Sequence, residues 1–183
     1  MDISDAKFEQ YSEKIVKVSG SRFVKSDTYT VKLEGASLVG YRSVCIAGVR
    51  DPFFIKSIDA ILERVKEEVG RTYEGRDYHL IFRLYGKNGV MGPLEPVKTT
   101  PHEVGMVIEA VAKTREDASA ICGRARVMLA HIDYEGQLNN TNLAYPFSPR
   151  VVEWGPAYTW TVHHLLELDD PCECFPMTLV EVG

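Results

Sequence analysis

What this 183-residue chain lacks narrows its function more than what it contains. No apolar run approaches the roughly 20 residues that a membrane-spanning helix requires, so no span is expected. The opening, Met1-Asp-Ile-Ser-Asp-Ala-Lys7, has no cationic stretch followed by an apolar one, and a secretory leader is not expected either. A net charge of -5 and the want of a basic stripe argue against nucleic acid, because neutralising phosphates takes clustered Lys and Arg. Cysteine is sparse. Cys45 lies in an apolar strand pattern and Cys122 on a helix face, where free thiols act as small hydrophobes. The lone Cys172-x-Cys174 pair falls short of a zinc site, which needs two further ligands at matched spacing. No metal ligands are assigned, and the expected compartment is the reducing cytosol. Neither G-x-S-x-G, H-E-x-x-H, a Walker loop nor G-x-G-x-x-G occurs, so the sequence names no reaction and no cofactor.

What is present is a periodic α+β chain. Apolar residues make up 45%, enough for a core without disulfides or metal. Thr28–Leu33 alternates Tyr29, Val31 and Leu33 against Thr28, Thr30 and Lys32, the period of a half-buried strand. Glu34-Gly35 and Val39-Gly40 punctuate the chain before a second strand, Tyr41–Val49. Asp51 and Pro52 then open a helix whose stripe is Ile55, Ile58, Leu62, Val65 and Val69, with Gly70 as its stop. Tyr78–Tyr85 returns as a strand with Leu80, Phe82 and Leu84 inward. The order recurs: Val104–Ala112 is a strand, and Thr114-Arg-Glu-Asp117 opens a helix lined by Ala118, Ile121, Ala125, Met128 and Ile132. Laying Ile46 over Ile108 relates the halves by an offset of 62. Ala157–Leu168 and Met177–Val182 supply closing strands, and Lys14–Val18 a short one that covers an edge. The expectation is a single α+β domain over residues 1–183, a two-layer ferredoxin-like sandwich with two βαβ-type halves and extra strands. Residues 1–25 form an N-terminal extension or edge strand, and residues 136–156 a polar loop.

That loop concentrates the candidate binding groups. Asn139, Asn140, Asn142 and Ser148 offer uncharged donors and acceptors that orient carbonyls, hydroxyls or carboxylates, while Leu143, Ala144, Tyr145 and Phe147 anchor it. Two readings fit: a surface loop whose amides satisfy its own backbone, or a recognition loop at a ligand pocket or subunit seam. Arg50, at a strand-to-helix junction, either helps hold an anion at the helix amides or pairs with Asp51 or another acid. His163 and His164 are adjacent in a strand and face opposite sides, so they do not share a metal. Each is either a satisfied structural histidine or, beside the loop, a general acid–base group, since histidine titrates near neutral pH. His102 reads as an exposed turn residue, and Asp169-Asp170-Pro171 as a turn.

Val39-Gly-Tyr-Arg-Ser-Val-Cys-Ile-Ala-Gly-Val-Arg-Asp-Pro52, Pro101-His-Glu-Val-Gly-Met-Val-Ile-Glu109 and Asn142-Leu-Ala-Tyr-Pro-Phe-Ser-Pro149 together resemble the acyclic terpene utilisation (AtuA) family. The closing segment Tyr158–Pro176 fits the same pattern. The resemblance is to the C-terminal portion of longer family members, which carry a large region ahead of it. It implies a small subunit or excised portion of a catabolic enzyme acting on branched carboxylic acids or acyl thioesters. The partner it implies is a larger N-terminal-type subunit, or further copies in a homo-oligomer, with a small-molecule ligand possible and neither nucleic acid nor membrane. It transfers no catalytic residue. The alternative is a non-catalytic assembly module, with the aromatic faces of Tyr158–Val162 as its interface.

Overall fold

The computed structural model describes residues 1–181. Six strands and two helices follow in the order β1 (Lys7–Ser12), β2 (Ile15–Ser19), β3 (Tyr29–Val49), α1 (Pro52–Thr72), β4 (Tyr78–Tyr85), β5 (Val104–Ala112), α2 (Arg115–His131) and β6 (Val152–Leu168). The protein is a mixed α+β chain with two antiparallel sheets. One is the β1–β2 hairpin, and the other has four strands in the order β4-β5-β3-β6. The residues gather into two compact units: Ala36–Trp160, and Met1–Gly35 together with the described residues from Thr161 onward. Strands β3 and β6 contribute to both.

The Ala36–Trp160 unit owes its form to strands buried on one side. Cys45, Ala47 and Val49 of β3 and Val104, Met106, Ile108 and Ala110 of β5 are sealed beneath the helices. Alternate residues emerge on the opposite, open face. Asp51 caps α1 by accepting from the amides of Phe53 and Phe54, and Pro52 follows at the first helical position. The apolar stripe of α1 includes Ile55, Ile58, Leu62, Val65 and Val69 as its spacing requires, and is widened by Phe54 and Ile61. Thr114 caps α2 through the Asp117 amide, and Ala118, Ile121, Cys122, Ala125, Leu129 and Ala130 are buried. The two caps lie 63 residues apart (114 minus 51), not 62. The offset of 62 sets open-face Ile46 against buried Ile108; the cross-strand register instead pairs Cys45 with Ile108. A one-residue slip inverts every side chain of a strand.

Other boundaries differ from the sequence expectation. Gly35 and Gly40 do not interrupt β3, which runs unbroken from Tyr29 to Val49. Gly40 serves close approach instead: a Cβ there would lie 2.2 Å from the Ala112 carbonyl oxygen. Helix α1 passes Gly70 and ends at Thr72. Strand β6 begins at Val152, inside the expected polar loop. The N-terminal strand, β2, pairs with β1 in a two-stranded sheet of its own, a partner whose existence the sequence pattern did not show. Residues 177–181 carry no strand, and the remainder of the expected closing strand lies outside the described residues.

The unit of Met1–Gly35 and Thr161 onward has a different character. Among its described residues only Leu168 is buried. Tyr29, Leu33 and Val162, expected on a half-buried face, are 50%, 39% and 44% exposed. Phe8, Tyr11 and Leu165 stand in solvent as well. No helix among the described residues is long and apolar enough to cross a membrane.

Candidate functional site

The asparagine loop closes the C-terminus of α2. A helix leaves its last carbonyls without partners, and the chain after His131 supplies them from side chains and amides further on. The Asn142 side-chain amide donates to the carbonyls of Leu129 and Ile132, both at 3.0 Å, and the Asn142 backbone N–H donates to Ala130. Its side-chain oxygen accepts from Gln137 Nε2 at 3.1 Å. Asn142 is 5% exposed, and its side-chain amide is committed to the end of the helix while its oxygen is taken by Gln137. Leu143 enters the core, and Ala144 bridges to Gly48 by two backbone bonds. Asn139 accepts from the Thr141 amide, a local turn, and the Asn140 carbonyl lies 3.2 Å from His131 Nδ1. Ser148 is exposed. The self-satisfying reading of the loop thus accounts for Asn139 and Asn142.

The remaining expected residues are held apart. Among the described residues Arg50 pairs with no acid; its Nη1 donates to the His102 carbonyl at 2.7 Å and tethers the segment before β5. The α1 amides near it are taken by Asp51. Burial opposes the Asp51 charge, but bonds from the Phe54, Phe53 and Leu138 amides hold its carboxyl below the ordinary 3.8. Burial, with the Asp51 carboxylate next to it, pushes the Tyr134 hydroxyl up to about 12. His163 and His164 belong to the other unit and are exposed; His163 Nε2 lies 3.8 Å from Glu34 Oε1. Burial raises the Cys45 and Cys122 thiols to about 11 and about 12, so neither is a ready nucleophile. Among the described residues no three His, Cys, Asp or Glu side chains gather as a metal would need.

The charged constellation that the fold does build was not anticipated. Glu109, 7% exposed, sits mid-strand on the open face of the sheet. In register it faces Val44 on β3 and Ile81 on β4. Its diagonal neighbours are Arg42 and Arg83, within reach of long side chains across a sheet. Arg42 Nε donates to Glu109 Oε1 at 2.7 Å, and Arg83 Nη1 donates to Glu109 Oε2. Two guanidiniums on one carboxylate leave a net charge of +1. Among the described residues neither arginine has a further hydrogen-bond partner. A cleft of about 370 Å³ opens above them, walled by Val44, Ile46, Val107 and Trp154. A larger cleft of about 660 Å³ lies in the other unit, where Lys25, Asp27, Glu167 and Asp169 give it mixed charge. The only sequence signal for the triad was a charged residue in each of three apolar strands; their convergence depends on register.

A model of the acyclic terpene utilisation family protein AtuA matches residues 1–154 of the chain. The closing segment Tyr158–Pro176 lies beyond that match. No curated protein and no solved structure matches significantly. The chain belongs to the acyclic terpene utilisation AtuA family.

Proposed function

We propose that this chain is an accessory, C-terminal-type portion of a catabolic enzyme that handles branched carboxylic acids or their acyl thioesters, and that it works joined to a larger chain. The observation that carries the reading is the unit of Met1–Gly35 and Thr161 onward, in which Leu168 alone among the described residues is buried. A two-stranded hairpin is marginal in water without a further layer to pack on. Leaving Phe8, Tyr11, Phe23 and Leu165 at 63–88% exposure costs about 25 cal/mol for each Å² of apolar surface that a partner would cover. Family membership supports the substrate class.

The α1 and α2 crossovers and the order β4-β5-β3-β6 support a ferredoxin-like sandwich for Ala36–Trp160. Cys45 and Cys122, packed in the core as small hydrophobes, suit a reducing, cytoplasmic setting.

The test is native mass spectrometry of the chain purified gently from its host, with hydrogen exchange on β1 and β2. A stoichiometric larger partner that slows exchange in the hairpin is the expected result. A monomer whose hairpin amides are already protected would overturn the proposal.

One observation favours a second reading, a self-associating assembly module: β6 is a 17-residue strand at the end of the sheet order, and Trp154, Tyr158 and Trp160 along it are exposed. A homo-oligomer in the same experiment would select it.

A further inference from the structure

We propose that the cleft on the open face of the sheet, headed by the Arg42–Glu109–Arg83 triad and walled by Ile46, Val107 and Trp154, binds an amphipathic monocarboxylate. The carboxylate would sit on the two guanidiniums and the hydrocarbon tail on the apolar wall. This rests on the proposed function and names the substrate class for one site; the head-group assignment follows from geometry alone.

The head group follows from charge. Glu109 is almost sealed from water, and a carboxylate in such a place requires cationic partners. One arginine would neutralise it. The fold brings two, 67 and 26 residues away in sequence, and among the described residues one positive charge is left without an acidic partner. Each guanidinium has five donors in a planar fork, and each commits one to Glu109. The side chains of Arg42 and Arg83 are 33% and 40% exposed, so their remaining donors are open to an incoming anion. A second carboxylate makes the set two against two, and charge-assisted bonds to arginine are the stronger kind. A dianion such as phosphate would overshoot that balance beside Glu109.

The tail follows from the wall. Ile46 and Trp154 are 40% and 65% exposed beside this head group, an apolar surface adjoining a charged one. The space above the triad, about 370 Å³, is broadly open to solvent, so it suits a short tail laid along the apolar wall rather than enclosed by it.

The experiment titrates the full chain with octanoate, its methyl ester and inorganic phosphate. Binding is read by isothermal calorimetry and by Trp154 fluorescence against a Trp154→Phe control. We expect the acid to bind, and the ester and phosphate to bind at least tenfold more weakly. Arg42→Met and Arg83→Met should each weaken the acid about tenfold or more, while circular-dichroism melting verifies folding. Ile46→Ser provides a second, milder variant on the wall and should also weaken it. Glu109→Gln, which removes the competing carboxylate, should tighten binding.

Equal affinity for acid and ester, or for acid and phosphate, would overturn the proposal. So would acid binding that ignores all of these substitutions. Native mass spectrometry of the same variants separates this site from the assembly reading: a lost complex with no acid binding to the wild type assigns the face to a protein partner and sinks the ligand site. Binding lost with the assembly mass intact supports it.

Discussion

Replacing Asn142 by alanine tests the claim that the asparagine loop is built to close α2. The substitution removes both donors of the side-chain amide and leaves the Leu129 and Ile132 carbonyls without those partners. Leu129 is 0% exposed, so water cannot easily replace the lost bond there. An unsatisfied buried group costs about 1–3 kcal/mol, and the second, more accessible carbonyl adds less. The sum is about 2–4 kcal/mol. For a chain of this size each kcal/mol moves the melting temperature by about 2–4 °C, so a fall of roughly 5–15 °C is expected by calorimetry or circular dichroism. Asn142→Asp should do no better at neutral pH, because it turns an oxygen toward two carbonyl oxygens. Ser148→Ala, on the exposed stretch of the same loop, should leave melting unchanged. A shift below about 2 °C for Asn142→Ala would refute the helix-closing role and return the residue to the pool of binding groups.

Further outcomes follow from the α1 cap and from the thiols. Asp51→Ala should cost about 0.5–2 kcal/mol through loss of the α1 cap. Because the folded carboxyl lies below the ordinary 3.8, its contribution is complete above 3.8 and is lost as pH falls through the lower folded value. Melting between pH 2 and 6 should therefore decline more steeply in acid for the wild type than for Asp51→Asn; parallel curves would contradict the assignment. In thiol titration with Ellman's reagent, Cys172 and Cys174 should react in the native chain, while buried Cys45 and Cys122, raised to about 11 and about 12, should wait for denaturant. Four fast thiols would contradict the burial of Cys45 and Cys122 in the core.

Local chemistry made the helices legible. The α1 stripe, the Asp51 and Thr114 caps and the inward row of β4 all lie within a few residues of the groups that define them, so periodicity and capping rules reach them. Glycine misled, because it serves two purposes that sequence does not separate. Gly35 and Gly40 read as breaks, yet both lie within β3, and Gly40 is required by the nearness of Ala112. The strand patterns of Thr28–Leu33 and Tyr158–Val162 implied a buried face, and alternation alone cannot say whether the buried side meets this chain or another. The partners of Asn142 were not legible, because a polar side chain in a loop carries no mark of whether it meets a ligand or the end of a helix.

By itself the sequence determined the α+β class, both capped helices, the two buried thiols and the family. Each of these rests on patterns a few residues long, or on motifs carried in order along the chain. Only the tertiary structure decided that Asn142 belongs to α2, that Arg50 tethers the His102 carbonyl, and that Arg42 and Arg83 share Glu109 on the open face. The physical reason is register: the side-chain period of a strand is two, so a slip of one residue would have sent Glu109 into the core and dispersed the triad.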